Sequence, residues 1–241
     1  MTTATIISGN RVEWLVVGVV LTVPLLFALA LPRFIDVSAD RWTGVALIAA
    51  VTVMEVPLAA LAVWATGWRG ETLASIGVTR PHPLSIAIGV AVLAGALWLI
   101  WARHTGVWDG ASSAAGAGGG AYTTAQRLAF VALGVPQIYL QELLYRGFAI
   151  TFLERWTHSV AAAIALASAA FTLAHITSLG GNLLVSLASV FLVSVLLSLL
   201  YIATRTLAPV FLVHWAWVIW LTVALSDTAS TSAAAAASPV G

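Results

Sequence analysis

Residues 141–148 read QELLYRGF and place a carboxylate and a guanidinium four residues apart inside an apolar stretch that runs from Leu128 to Phe152. On a helix, Glu142 and Arg146 share one face at ion-pairing distance, with the acid in the favourable N-terminal position. Gln141 sits about 100° round the helix from that acid. Its amide can hydrogen-bond but cannot take up a proton as a base. Whether this helix lies in a soluble core or in a bilayer is decided by the rest of the chain.

Of the 241 residues, 61% are hydrophobic and 8% charged, with a mean hydropathy of +1.02; soluble domains carry roughly 25% charged residues. The composition is that of an integral membrane protein. A net charge of +1 gives no basic stripe or acidic tail, so nucleic acid is not an expected partner. The absence of cysteine excludes disulfides, thiol catalysis and thiolate metal sites. All ten basic residues are arginine, which with the heavy use of alanine and valine suggests a GC-rich prokaryotic source.

A helix crossing a hydrocarbon core needs about 20 apolar residues. Seven runs qualify, at roughly 14–31, 43–65, 84–102, 127–153, 159–177, 183–203 and 207–225. The expected fold is therefore all-α, a polytopic bundle of about seven transmembrane helices forming one domain over 1–225, with a motif-bearing core at about 122–225. The first run is read as a retained helix rather than a signal peptide, because its apolar stretch is too long and only Arg11 precedes it. Gly110–Ala121 and the tail 226–241 are Ala/Gly/Ser-rich and read as flexible connectors. With a cytoplasmic N-terminus, Arg11, Arg69, Arg80, Arg155 and Arg205 fall inside and Arg33, Arg41, Arg103 and Arg127 outside, a slight positive-inside bias.

Within the runs the ionisable residues reduce to Glu55, Glu142, Arg146, His175 and His214. A charge at mid-bilayer costs roughly 2.5–3.5 kcal/mol on insertion scales, so each needs a partner, a cavity or a function. For Glu142 and Arg146 the plain alternative to function is a structural ion pair. Glu154–Ser159 joins two runs as an antiparallel hairpin, and Glu142 and His175 lie about 16 residues, or ~24 Å, along its two arms. They are expected at one depth, as a polar pocket requires. Without such a pocket, His175 would read as a core histidine bonded to a backbone carbonyl. His214, in PVFLVHWAWVIW, lies by helix counting about 12 Å from His175 in depth. A tilted sixth helix or a loop at Gly180-Gly181 dipping into the membrane would close that gap. Trp215, Trp217 and Trp220 read as an interfacial belt, and Glu55, two residues before Pro57, as a buried protonated acid or a helix-packing contact.

QELLYRG at 141–147, FTLAH at 171–175 and HWAWV at 214–218 resemble, in order, the three motifs of the CPBP intramembrane proteases. That family includes the type II CAAX prenyl proteases and Abi-like members, and its motifs run Glu-Glu-x-x-x-Arg, Phe-x-x-x-His and His-x-x-x-Asn. LASIGVTRP at 73–81 resembles the segment that often leads into the core. The resemblance places Glu142 on the second glutamate, Arg146 on the arginine, Phe171 and His175 on the second motif and His214 on the third. It departs at two positions: Gln141 replaces the glutamate usually assigned to activating water, and Val218 the oxyanion-binding asparagine.

The resemblance implies hydrolysis of a peptide bond in a membrane-associated substrate, prenylated or bacteriocin-like, by a multi-pass protein of the cell membrane. Peptide hydrolysis needs a base for water, donors for the oxyanion and a proton for the leaving amine. The expected assignment has Glu142 as base, His175 positioning water and His214 stabilising the oxyanion, with Gln141, Arg146 and Phe171 supporting. The cofactor is either none or one divalent metal such as zinc, for which His175, His214 and Glu142 are the only candidate ligands, and no His-Glu-x-x-His helix strengthens that option. The competing readings are a non-cleaving membrane binding or scaffold protein and a proton-coupled transporter using Glu55 and Glu142, the latter disfavoured by the absence of internal repeats.

Overall fold

The QELLYRGF stretch lies inside a helix that runs unbroken from Thr124 to Thr157 in the computed structural model, which describes residues 3–31, 41–104, 123–176 and 182–219. This long helix has three parts: α4 (Thr124–Gln141), a π-helical segment (Glu142–Ile150) and α5 (Thr151–Thr157). Its start is fixed by a capping box, in which the Gln126 backbone N–H donates to Thr123 Oγ1 at 3.3 Å and the Thr123 N–H to Gln126 Oε1 at 2.9 Å. It ends where His158 turns left-handed (φ 52°) and Ser159 caps the next helix.

Before it come α1 (Thr3–Ala30), α2 (Arg41–Trp68), a 3-10 turn (Leu73–Ile76) and α3 (Pro83–His104); after it come α6 (Val160–Ala174), α7 (Leu183–Thr204) and α8 (Leu207–Ile219). Among the described residues all regular structure is helical. Each of the seven expected apolar runs overlaps one of these helices. Four segments are long and apolar enough to cross a bilayer: Arg11–Ala30, Trp42–Trp68, Thr124–Thr157 and Leu183–Thr204. Pro83–Trp98, Val160–Ala174 and Leu207–Val218 are shorter apolar helices. The expected connector at 110–121, the tail at 226–241, Gly180-Gly181, Arg33 and Trp220 lie outside the described residues.

The burial pattern is that of a membrane bundle, with apolar side chains outside and polar ones within. On α2, Val53 is 73% exposed while Glu55 is 1% exposed; on α7, Leu192 and Leu196 face outward while Ser194 and Ser198 are buried. In water this arrangement would be inverted; in lipid it satisfies both faces. Every residue from Gln141 to Leu153 is buried, because the π segment is packed by α1, α2, α6, α7, α8 and the 3-10 turn. α1 adds Val16, Val17 and Val20 to the same core.

The His158 end of the bundle is held by ion pairs. Arg69 bonds Glu13 and Glu71, Arg155 grips Glu71 with both guanidinium nitrogens at 2.6 and 2.7 Å, and Arg205 pairs with Glu154 at 3.1 Å. Arg69, Arg155 and Arg205 thus share one end, as the charge distribution anticipates. Burial alone would push the Glu71 carboxyl up, but hydrogen bonds from Arg155, Ser75 and Arg69 outweigh it and hold Glu71 below its ordinary range.

Candidate functional site

Glu142 opens the π-helical segment, a widened turn found frequently at functional sites. The i,i+4 pair survives the widening: Arg146 Nη1 donates to Glu142 Oε1 at 3.0 Å, with both side chains fully buried. The second guanidinium nitrogen, Nη2, donates to Ser194 Oγ of α7 at 3.0 Å. Across the bundle, His214 Nδ1 of α8 lies 2.5 Å from the same Glu142 Oε1. One carboxylate oxygen therefore joins two helices that are 72 residues apart in the chain, while Glu142 Oε2 is buried with no hydrogen-bond partner.

Phe171 is the platform of this cluster. Arg146 Cζ stands 4.4 Å over its ring, the His175 ring lies 4.4 Å from it, Tyr145 5.2 Å and His214 5.8 Å, centroid to centroid. His175 follows the last residue of α6 and is half-buried, its Nδ1 2.8 Å from the Phe171 carbonyl oxygen. The backbone contact foreseen for a core histidine is present, and so is the shared level with Glu142. Arg146, His175 and His214 come together around one aromatic ring, and Glu142 joins them through its contacts with Arg146 and His214. Val218, one turn beyond His214 on α8, brings no hydrogen-bonding group.

The two histidines lie closer than the expected offset, both against the Phe171 ring at 4.4 and 5.8 Å, and the reason lies in the turn before α8. Helix counting assumes that this turn sits at the membrane edge. Instead Thr206 and Leu207 are buried, 3% and 1% exposed, and the Leu207 N–H donates to Gly77 O at 3.0 Å. Leu207 reaches the level of Gly147, where a Cβ would meet Leu207 Cδ1 at 3.6 Å and Ile76 O at 2.5 Å. The glycine of QELLYRGF thus permits a backbone approach that no side chain would allow. The segment 73–81 has its place here too, because its 3-10 turn supplies the Ile76 carbonyl packed on Gly147.

Two contributions escape the sequence reading. Ser194 is one of several serines on an otherwise apolar helix, and its four-residue spacing from Ser198 was the available signal. Glu55, read as a buried protonated acid or a helix-packing contact, is hydrogen-bonded to the Gln141 side chain and lies within electrostatic range of Glu142 and Tyr145. Trp215 packs on α4 at Gly134, 3.9 Å from where a Cβ would stand. It serves helix packing as well as any interfacial belt.

Among the described residues no three His, Asp or Glu side chains are grouped as a metal site would need. The donor set does not fit a zinc centre. Cavities of about 340 and 540 Å³ lie at the His158 end, among Arg69, Arg155, His158 and Arg205, away from Glu142.

Residues 123–220 match one family model, described as type II CAAX prenyl endopeptidase Rce1-like. This part of the chain is similar to the Rce1-like family. The match runs from the cap of α4 through α8 and takes in all three motifs; the segment 73–81 and α2, with Glu55, lie outside it. No curated protein and no solved structure matches the chain. The Rce1-like family is one of membrane proteases, which agrees with the apolar exterior and the buried polar cluster.

Proposed function

We propose that this Rce1-like protein is an intramembrane endopeptidase that hydrolyses a peptide bond of a membrane-associated peptide or protein substrate, prenylated or bacteriocin-like, with Glu142, His175 and His214 in its site. The observation that carries the reading is the 2.5 Å contact of His214 Nδ1 with Glu142 Oε1, inside a cluster that also neutralises the carboxylate with Arg146. An inert ion pair requires only Glu142 and Arg146; a histidine drawn from another helix to the same oxygen is what acid–base chemistry requires. In this reading Glu142 takes the proton of the attacking water at Oε2, the oxygen without a partner. His214, oriented by Glu142, turns its other ring nitrogen to the oxyanion, and His175, fixed through its Nδ1, positions the water.

All seven apolar helices cross the cell membrane of a prokaryote in this proposal, as a single domain. The lipid bilayer is then its constant partner. The test is incubation of the purified protein with a library of membrane-associated peptides that includes prenylated C-termini. Cleavage by the wild type that is lost in Glu142→Gln supports the protease. Absence of cleavage across the library favours a binding protein built on the same fold.

A further inference from the structure

We propose that Glu55 of α2 is the second carboxylate of this site, the general acid that protonates the leaving amine while Glu142 acts on the water. The inference rests on the protease reading and concerns a residue outside the family match. Three observations support it. Glu55 is 1% exposed on a helix whose neighbouring Val53 and Val56 face outward at 73% and 53%, so the helix is turned to bring its acid inward. It is hydrogen-bonded to Gln141, the residue that replaces a glutamate in the first motif, and it lies within electrostatic range of Glu142. Its Oε2 is buried and has no hydrogen-bond partner.

The two carboxylates differ in their surroundings. Glu142 is matched by Arg146 and His214, whereas no cation bonds Glu55 among the described residues. A buried carboxyl without a counter-charge keeps its proton, and one paired with a guanidinium gives it up. Two nearby acids in unlike environments divide into an acid and a base. Gln141, between them, cannot carry a proton; Glu55 can.

The step balances. The water oxygen bonds to the scissile carbonyl carbon, its proton passes to Glu142 Oε2, and the carbonyl π pair moves to oxygen. That pair then returns, the C–N bond breaks and the nitrogen takes the Glu55 proton. After the products leave, Glu142 gives its proton to water, Glu55 takes one up from water, and the pair is reset.

The test uses a prenylated peptide with a scissile amide and its counterpart with an ester at that bond, whose leaving group needs less protonation. Glu55→Gln should lower kcat on the amide by about 100-fold or more with KM unchanged, as for loss of a general acid, and lower the ester rate far less. Adding Gln141→Glu to Glu55→Gln exchanges carboxyl and amide between two hydrogen-bonded neighbours and should restore amide cleavage. Equal losses on amide and ester, or a folded double variant without rescue, would overturn the proposal. If Glu55→Gln alone does not fold, the exchanged pair decides by itself: folded and active supports the acid, folded and inactive removes it. Wild-type rates in Glu55→Gln with none in Glu142→Gln would leave the protease standing without this acid. A wild type that cleaves neither substrate would remove both.

Discussion

Replacing Gly147 by alanine should displace the site without touching a reactive group. A Cβ there would lie 2.5 Å from Ile76 O, whereas ordinary contact begins at 3.4 Å, so backbone must separate by 3.4 − 2.5 = 0.9 Å. The atom met is backbone in the 3-10 turn and cannot rotate aside. That turn ends at Gly77, whose carbonyl accepts the Leu207 N–H and sets the depth of α8. Overpacking of this kind costs about 1–3 kcal/mol. A shift approaching 1 Å passed along α8 to His214 should cost on the order of 100-fold in turnover. The control is Gly134→Ala, where the nearest atoms would be 3.9 Å from the new Cβ; its effect should stay within about 0.5 kcal/mol. Both variants are measured by denaturant unfolding in detergent and by cleavage of a prenylated peptide. Equal stability and equal turnover of the two would refute the argument that the close approach at Gly147 positions His214.

Three further outcomes follow from single contacts. Ser194→Ala removes the Oγ that accepts from Arg146 Nη2 and leaves that nitrogen buried; detergent unfolding should show a loss of about 1–3 kcal/mol, and an unchanged midpoint would mean the bond contributes nothing. Glu71 is held below the ordinary carboxylate value of 4.5, so its contribution to stability is present above that pH and is lost as the pH falls through the depressed folded-state value. Thermal unfolding should therefore show an acid-side drop that flattens in Glu71→Gln; an identical profile in the variant would contradict this. Cleavage should persist in excess chelator, with no bound metal by elemental analysis, because among the described residues no three candidate ligands are grouped; one equivalent of zinc lost together with activity would overturn it.

The fold was legible because lipid leaves few options: apolar runs must be helices, and their polar residues must turn inward. Glu142 and Arg146 were legible as a pair, since i,i+4 spacing is local, and the hairpin through Glu154–Ser159 brought His175 to their level because both arms are continuous helices. His214 was misplaced by counting, because a buried turn at Thr206-Leu207 leaves no mark in hydropathy and depends on a hydrogen bond to Gly77, remote in sequence. The π-helical widening was illegible for a similar reason, as its residues form a good α-helical pattern. Glu55 could be recognised as anomalous but not as part of the site, since nothing local says which helix α2 packs against; its partner Gln141 lies on α4.

The central claim is that Glu142 and His214 act as one unit across the bundle, and a double-mutant cycle on single-turnover cleavage tests it most directly. The rates of Glu142→Gln, His214→Ala and the double variant are compared with wild type on one prenylated peptide, each protein being checked for native unfolding. Residues that work as a unit lose little more together than apart, so the double variant should be nearly as active as the worse single one. If the two losses multiply, or if His214→Ala leaves turnover intact, the 2.5 Å contact between Nδ1 and Oε1 is a structural bond and the site has been assigned to the wrong residues.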